Sequence, residues 1–332
     1  MKKRTLRTGL AAGALALGML LAACGGPTGT SSSTSSEAPA GDEAVTIGSM
    51  IWNTSVPFYS NFIKAQEDTA AEMGAKLTIV DGKGDIGTEV AGVQQLIAQE
   101  VDVILVTPSD AKGIAPAVKK ANEAGIPVFA VNNRVDTESA DVVTFVGADD
   151  VEFGRQQAKL LGQALPDGGK VAYMMGALGT SAQLLRKEGF DEGIKEFPNI
   201  TIVEEQTTEW DAAKAVSLTQ VWLGKYAAGQ LDAVVSQGPE AANSAKYAQE
   251  SGRSDVKFIV GDYPADVRQG IKDGYILGTV NQDPAIQGVR SIEDAIAWAQ
   301  GNESDVPQPN DYLELPIVTA DNVEEYAAAW GE

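Results

Sequence analysis

The side chains best able to do chemistry fall in short loops, each behind a β-branched run. The first half offers Trp52-Asn53-Thr54-Ser55-Val56-Pro57-Phe58-Tyr59, then Pro108-Ser109-Asp110, then Asn132-Asn133-Arg134. The second half adds Gly179-Thr180-Ser181-Ala182 with Arg186, Glu209-Trp210-Asp211, Gln237-Gly238-Pro239-Glu240, Asp262-Tyr263 and Asn281-Gln282-Asp283. Amides and carboxylates take vicinal hydroxyls and flat rings cover C–H faces, so this set suits a neutral, hydroxyl-rich ligand. The chain has no His, which removes the Ser-His-Asp triad, the Cys-His pair and imidazole zinc sites. Its single Cys can form neither an internal disulfide nor a CxxC knuckle. No metal, cofactor or catalytic residue is expected. The enzymatic alternative is a carboxylate pair such as Asp149 with Asp262 acting on sugars. No acid pair lies on a common element, and 6% aromatic residues is low for a long carbohydrate groove.

These loops need a scaffold, and the hydrophobic pattern supplies one. Strands are predicted at Val45–Ile51, Lys76–Val80, Val103–Thr107, Pro127–Val131, Val142–Val146, Lys170–Met174, Ile200–Glu204, Leu231–Ser236, Val256–Val260 and Ile276–Val280. Between most of them lie stretches with apolar residues at helical spacing, such as Val90-Val93-Ile97 and Phe62-Ala65-Thr69-Met73. Continuous apolar strands alternating with helices mean parallel sheets covered on both faces. Ten strands divide near residue 148 into two α/β halves. Ligands of open α/β sheets sit beyond the carboxyl ends of the strands, where these loops are.

The chain has 332 residues, 44% of them hydrophobic, with 25 Lys+Arg against 46 Asp+Glu. That length suggests two domains, and a formal charge of −21 argues against nucleic acid as a partner. Residues 1–23 read as a signal peptide: Lys2, Lys3, Arg4 and Arg7, then fifteen uncharged residues from Gly9 to Ala23. Leu21-Ala22-Ala23-Cys24 resembles the lipobox of bacterial lipoproteins. The resemblance implies cleavage before Cys24 and lipidation of its thiol, which would hold the protein to a membrane. Removing the signal leaves 21 basic against 46 acidic residues, a formal −25. Residues 24–43 are then the lipidated Cys and a linker; 25–43 carry Gly, Ser, Thr, Pro, Ala and three acids but no large apolar side chain, so a flexible tether of roughly 25 Å reach is expected.

From Val45 to the C-terminus the chain resembles the sugar-binding proteins of bacterial ABC transporters, of the ribose-binding type (type I periplasmic binding proteins). The resemblance rests on Pro57-Phe58-Tyr59, ILVTPSDAKGIAPAVKKANEAGIPV, GTSAQLLRKEGF, the VGD at 260–262 and the TVNQ at 279–282. It implies two doubly wound parallel-sheet domains with a ligand cleft between them and a three-crossing hinge. The lobes would be 44–148 plus 283–311, and 149–282 plus 312–332. It also implies a monomeric, exported, lipid-anchored protein on the outer face of the cytoplasmic membrane. Such a protein would capture a monosaccharide or polyol and deliver it to a membrane permease. A sugar receptor for signalling would share the same residues.

By that resemblance Phe58, Tyr59 and Trp210 stack on the sugar, while Arg186, Gln282 and Asp262 bind its oxygens. Asn132, Asn133 and Arg134 cover a place where ribose binders have Asp-Arg, with one extra residue. Trp52, Asn53 and Gln237 complete the candidate ligand-binding set. Val56 and Gly238 depart from the ribose pattern, so another monosaccharide or a polyol fits as well as ribose.

Gly82-Lys83-Gly84-Asp85-Ile86-Gly87 has the spacing of a dinucleotide fingerprint, but it follows the second strand rather than the first. It reads as a tight turn with Asp85 as helix N-cap. Trp222, Trp298 and Trp330 fall in segments that read as helical, as packing residues.

Overall fold

The computed structural model describes residues 44–331; the expected signal peptide, Cys24 and the expected tether lie outside them. In chain order the strands are β1 (Thr46–Ile51), β2 (Lys76–Asp81), β3 (Val103–Thr107), β4 (Val128–Val131), β5 (Phe145–Gly147) and β6 (Gly169–Met175). There follow β7 (Ile200–Thr207), β8 (Ala233–Ser236), β9 (Lys257–Gly261), β10 (Gly278–Val280), β11 (Asn310–Tyr312) and β12 (Ile317–Thr319). The helices are α1 (Phe58–Glu72), α2 (Ile86–Ala98), α3 (Ala111–Glu123), α4 (Asp150–Ala164), α5 (Ser181–Gly193), α6 (Ala212–Lys225), α7 (Ala242–Glu250), α8 (Ala265–Lys272) and α9 (Pro284–Ala299).

Two six-stranded sheets result, ordered β11-β5-β4-β3-β1-β2 and β12-β10-β9-β8-β6-β7. The two orders correspond strand for strand, and each reverses direction beside its first strand, which opens a crevice at the carboxyl ends. The fold is two parallel-sheet α/β domains. One strand departs from the parallel reading: β12 runs antiparallel to β10. Neither β11 nor β12 is among the ten predicted strands. Each is three residues long, too short to carry a periodic signal.

The alternation of side chains in the strands sorts the core into layers. In the first sheet Ile47, Ile51, Val103, Leu105, Phe129 and Val131 point to one face. Met50, Ile104, Val106, Val128 and Ala130 point to the other. The second sheet divides likewise, with Ala172, Met174, Val234 and Val260 against Val171, Tyr173, Val235 and Ile259. Each fully buried aliphatic or aromatic side chain contributes about 1.5–3 kcal/mol, so both sheets are anchored on two sides.

The chain passes from the first sheet to the second after β5 and returns after β10 through α9. Ile292, Ala295 and Ile296 of α9 pack in the first sheet's core. It crosses again between β11 and β12. Asp85 caps α2 by accepting from the Thr88 N–H at 2.8 Å, as expected from the glycine-rich turn. Trp222 is buried in α6, and Trp298 of α9 meets Phe129 edge-on. Trp330 is a correction. It lies outside any helix, bridges to Pro264 and stacks edge-to-face on Phe58 at 5.6 Å.

Helices α4 and α5 approach so closely that no side chain fits between them. A Cβ on Gly154 would stand 2.0 Å from the Arg186 carbonyl oxygen, and one on Gly189 would stand 1.8 Å from that of Val151. This contact fixes the start of α4 against the middle of α5.

Candidate ligand-binding site

The loops at the carboxyl ends of both sheets converge on one cleft. Trp52, Val56, Phe58, Tyr59, Asn132 and Asn133 line it from the first sheet, and Thr180, Ala182, Arg186, Trp210, Asp262 and Gln282 from the second. The lobes touch across it: the Arg134 N–H donates to the Ser181 hydroxyl at 2.7 Å, and the Ala182 N–H to the Asn133 amide oxygen at 3.4 Å.

Three residues of the candidate set stand elsewhere. Asn53 is spent locally, accepting from the Ser55 N–H and hydroxyl, and it borders the outer mouth beside Glu209 and Trp330. Arg134 lies 3.9 Å over the Phe145 ring and donates to Asn310 and to the Tyr312 hydroxyl. Gln237 is fully buried behind the wall, where its side chain ties Gly176 to Gln183. Val56, Thr180 and Ala182 line the cleft without having been singled out as ligand contacts. Their positions beside Phe58 and Arg186 in the same loops were the available signal. Asp149, considered above as half of an acid pair, caps α4 through the Glu152 N–H.

The aromatic wall is built at right angles. Tyr59 meets Phe58 edge-on at 5.3 Å and Trp52 at 6.5 Å, which leaves faces free for C–H groups. Trp210 closes the opposite side. A Cβ at residue 238 would stand 2.9 Å from its ring, which accounts physically for Gly238 at that position.

Three lining residues hold left-handed backbone: Asn132 at φ 61°, Trp210 at 61° and Asp262 at 58°. Asn and Asp tolerate this region, whereas a bulky Trp adopts it rarely. Such strain gathers where a side chain must be aimed.

Arg186 is 1% exposed and anchored on one side. Its Nε donates to Asp150 at 2.9 Å, its Nη1 donates to the Gln237 carbonyl at 2.7 Å, and its guanidinium stacks 3.9 Å over Phe153. Burial works against its charge, but Asp150 and Asp262 prevail and hold its pKa above the ordinary arginine value. Burial also raises Asp150, against the pull of Arg186.

Asp262 is pushed up to about 7 by burial, against Arg186 and a hydrogen bond from Gln282. Among the described residues its Oδ1 has no hydrogen-bond partner. Burial likewise lifts Tyr59 well above the usual phenol range, so its hydroxyl stays neutral and can donate. The cleft therefore offers amide N–H groups, an open carboxylate oxygen, a guanidinium and aromatic faces. It gathers no nucleophile with an adjacent base. Among the described residues no group of His, Cys, Asp and Glu could hold a metal ion, and no helix is long and apolar enough to cross a membrane.

Residues 47–303 match the model of the periplasmic binding protein domain. The chain belongs to the periplasmic binding protein family. It is similar to the xylitol-binding protein of Mycolicibacterium smegmatis, at 30% identity over 325 residues, 96% of this chain and 87% of that one. It is 31% identical to the ribose import binding protein of Bacillus subtilis over 250 residues, covering 75% and 80% of the two chains. Among solved structures, an ABC transporter solute-binding protein from Bacillus halodurans with bound myo-inositol aligns with a TM-score of 0.79. The two are 29% identical, with 86% of this chain and 98% of that one covered. The fold, the cleft and these relatives make this chain a solute-binding protein of the ribose-binding type rather than an enzyme, and membership places its work outside the cytoplasm.

Proposed function

We propose that this periplasmic binding protein captures a monosaccharide or polyol between its lobes and delivers it to an ABC permease. The lobes are 44–148 plus 283–311 and 149–282 plus 312–332, closing about the three passages between them. The observation that carries the reading is the composition of the cleft, with aromatic faces and polar side chains from both sheets and the charged pair Arg186 and Asp262 from the second. A ligand that touches only one lobe has no differential affinity for the closed state and cannot drive closure; one that bridges both can. Relatives named for xylitol and ribose, and one solved with myo-inositol, support a polyhydroxylated ligand.

The chain acts as a monomer, tethered through a lipidated Cys24 to the outer face of the membrane. Two acyl chains suffice for stable anchoring. Mass spectrometry of the membrane-extracted protein checks this: a diacylglyceryl group on an N-terminal Cys24 is expected, and an unmodified thiol refutes it.

Isothermal calorimetry against pentoses, hexoses, inositols and sugar alcohols tests the ligand class. Micromolar or tighter binding, about −8 kcal/mol, is expected for at least one of them. Heat with amino acids or peptides alone would overturn the reading.

A further inference from the structure

A line of hydrogen bonds runs through the cleft wall in a single sense. Trp52 Nε1 donates to the Tyr59 hydroxyl at 2.9 Å, and that hydroxyl donates to Asn132 Oδ1 at 2.8 Å. Asn132 Nδ2 donates to Gln287 Oε1 at 3.1 Å, and Gln287 Nε2 donates to Gln282 Oε1 at 2.9 Å. Gln282 in turn hydrogen-bonds the Asp262 carboxyl. The Trp52 end sets the direction, because an indole N–H only donates, and the Asp262 carboxylate accepts at the other end when ionised. Every amide between them must turn its oxygen toward Trp52 and its nitrogen toward Asp262.

Gln287 is the member of this line that does not face the cleft. It is fully buried on α9, one helical turn beyond the passage between the sheets. It joins Asn132, on a loop of the first sheet, to Gln282, at the end of the second sheet's β10. Only a side chain with one acceptor and one donor can serve both neighbours, and a carboxylate or an alkyl group cannot.

We propose that Gln287 is a positioning residue. It sets the amide orientations of Asn132 and Gln282, and with them the pattern of donors and acceptors that the closed cleft presents to its ligand. A reversed Asn132 amide would set its oxygen against Gln287 Oε1 and its nitrogen against the donating Tyr59 hydroxyl, losing both bonds. Fully satisfied buried networks specify one arrangement, whereas a broken one leaves orphaned groups. The inference rests on the sugar or polyol reading for its ligand, but its geometry can be read without one.

The test uses Gln287→Leu and Gln287→Glu in the full chain, with ribose, xylitol and myo-inositol as probes. Gln287→Leu should bind the tightest of the three at least tenfold more weakly, well below its melting temperature, and should change their order of preference. Gln287→Glu should follow wild type at pH 5, where a protonated carboxyl accepts from Asn132 and donates to Gln282. Its deficit relative to wild type should grow toward pH 9 as that proton is lost. The second readout needs no ligand: hydrogen exchange of the Asn132 and Gln282 side-chain amides, slow in wild type, should become fast in Gln287→Leu.

Wild-type affinity and preference in a folded Gln287→Leu would overturn the proposal, as would unchanged amide exchange. If Gln287→Leu fails to fold, the pH-dependent deficit of Gln287→Glu decides, and a deficit independent of pH refutes it. A wild-type protein that binds none of the three probes would refute the ligand class as tested by them, and amide exchange would still decide the role of Gln287.

Discussion

Arg186 and Asp262 face each other at 3.9 Å, both buried, with no hydrogen bond between them. The guanidinium is held back because Asp150 and the Gln237 carbonyl take its Nε and Nη1. Asp262 thus feels the positive charge through a low-dielectric gap while keeping an oxygen open. A ligand hydroxyl inserted there can donate to the carboxylate and accept from the guanidinium together, forming charge-assisted bonds.

Arg186→Ala should weaken sugar binding by about 1.5–3 kcal/mol, the cost of a hydrogen bond to a charged group. It should also lower stability by about 3–5 kcal/mol, because Asp150 is left as an unpaired buried charge. Adding Asp150→Asn should recover part of the stability and none of the affinity. Calorimetry and chemical denaturation of wild type and these two variants separate the two effects.

Affinity should depend on pH through Asp262. Its carboxyl is held near 7 in the free protein, and a hydroxyl that donates to it favours the ionised form. Binding below neutrality must therefore expel a proton, so affinity should fall by up to about tenfold between pH 8 and pH 6. Calorimetry at pH 6.5 in buffers of different ionisation enthalpy should register proton release. Asp262→Asn should bind more weakly and register none.

Asp294 gives a separate stability signature. Burial among α9 residues, with Asp311 beside it, holds its carboxyl near 7. Between about pH 4 and 7 the folded chain keeps a proton that the unfolded chain has lost, so this group's effect is to reduce stability as pH rises through that window. Asp294→Asn should be neutral at pH 4 and stabilising by roughly 2 kcal/mol at pH 8. Melting curves across this range check it, and an equal gain at both pH values would refute the assignment.

Closure should be visible in solution. Small-angle scattering should show a smaller radius of gyration at saturating ligand, and Arg186→Ala should require more ligand to reach it. An unchanged radius at saturation would count against hinge closure.

The parallel α/β architecture was legible because β-branched runs and helical spacing alternate over the whole body. The site was legible because its residues follow strands directly, as Asn132 follows β4 and Asp262 follows β9. Arg134 shows where that logic stops. Its partners, Asn310 and Tyr312, sit on β11, a three-residue strand without a periodic signal, so nothing in the sequence indicated that the side chain would turn away. Trp330 looked helical from its alanine-rich neighbours, but the pairing of 329–330 with Tyr263–Ala265 prevailed over propensity. Gln287 was hidden because its role depends on the separation of Asn132 and Gln282 in space.

The glycine seam between α4 and α5 has a consequence for how new specificities can arise. It fixes the backbone that carries Asp150 and Arg186, and a methyl group on either glycine would collide with main chain rather than with a movable side chain. Descendants or designs that exchange one ligand for another have little freedom there. Asn53–Val56, between the buried Trp52 and Phe58 of the first sheet's loop, meet no glycine through their main chain. A library randomised at Asn53–Val56 should yield altered selectivity with folding intact, while one randomised along the seam should yield mainly insoluble chains.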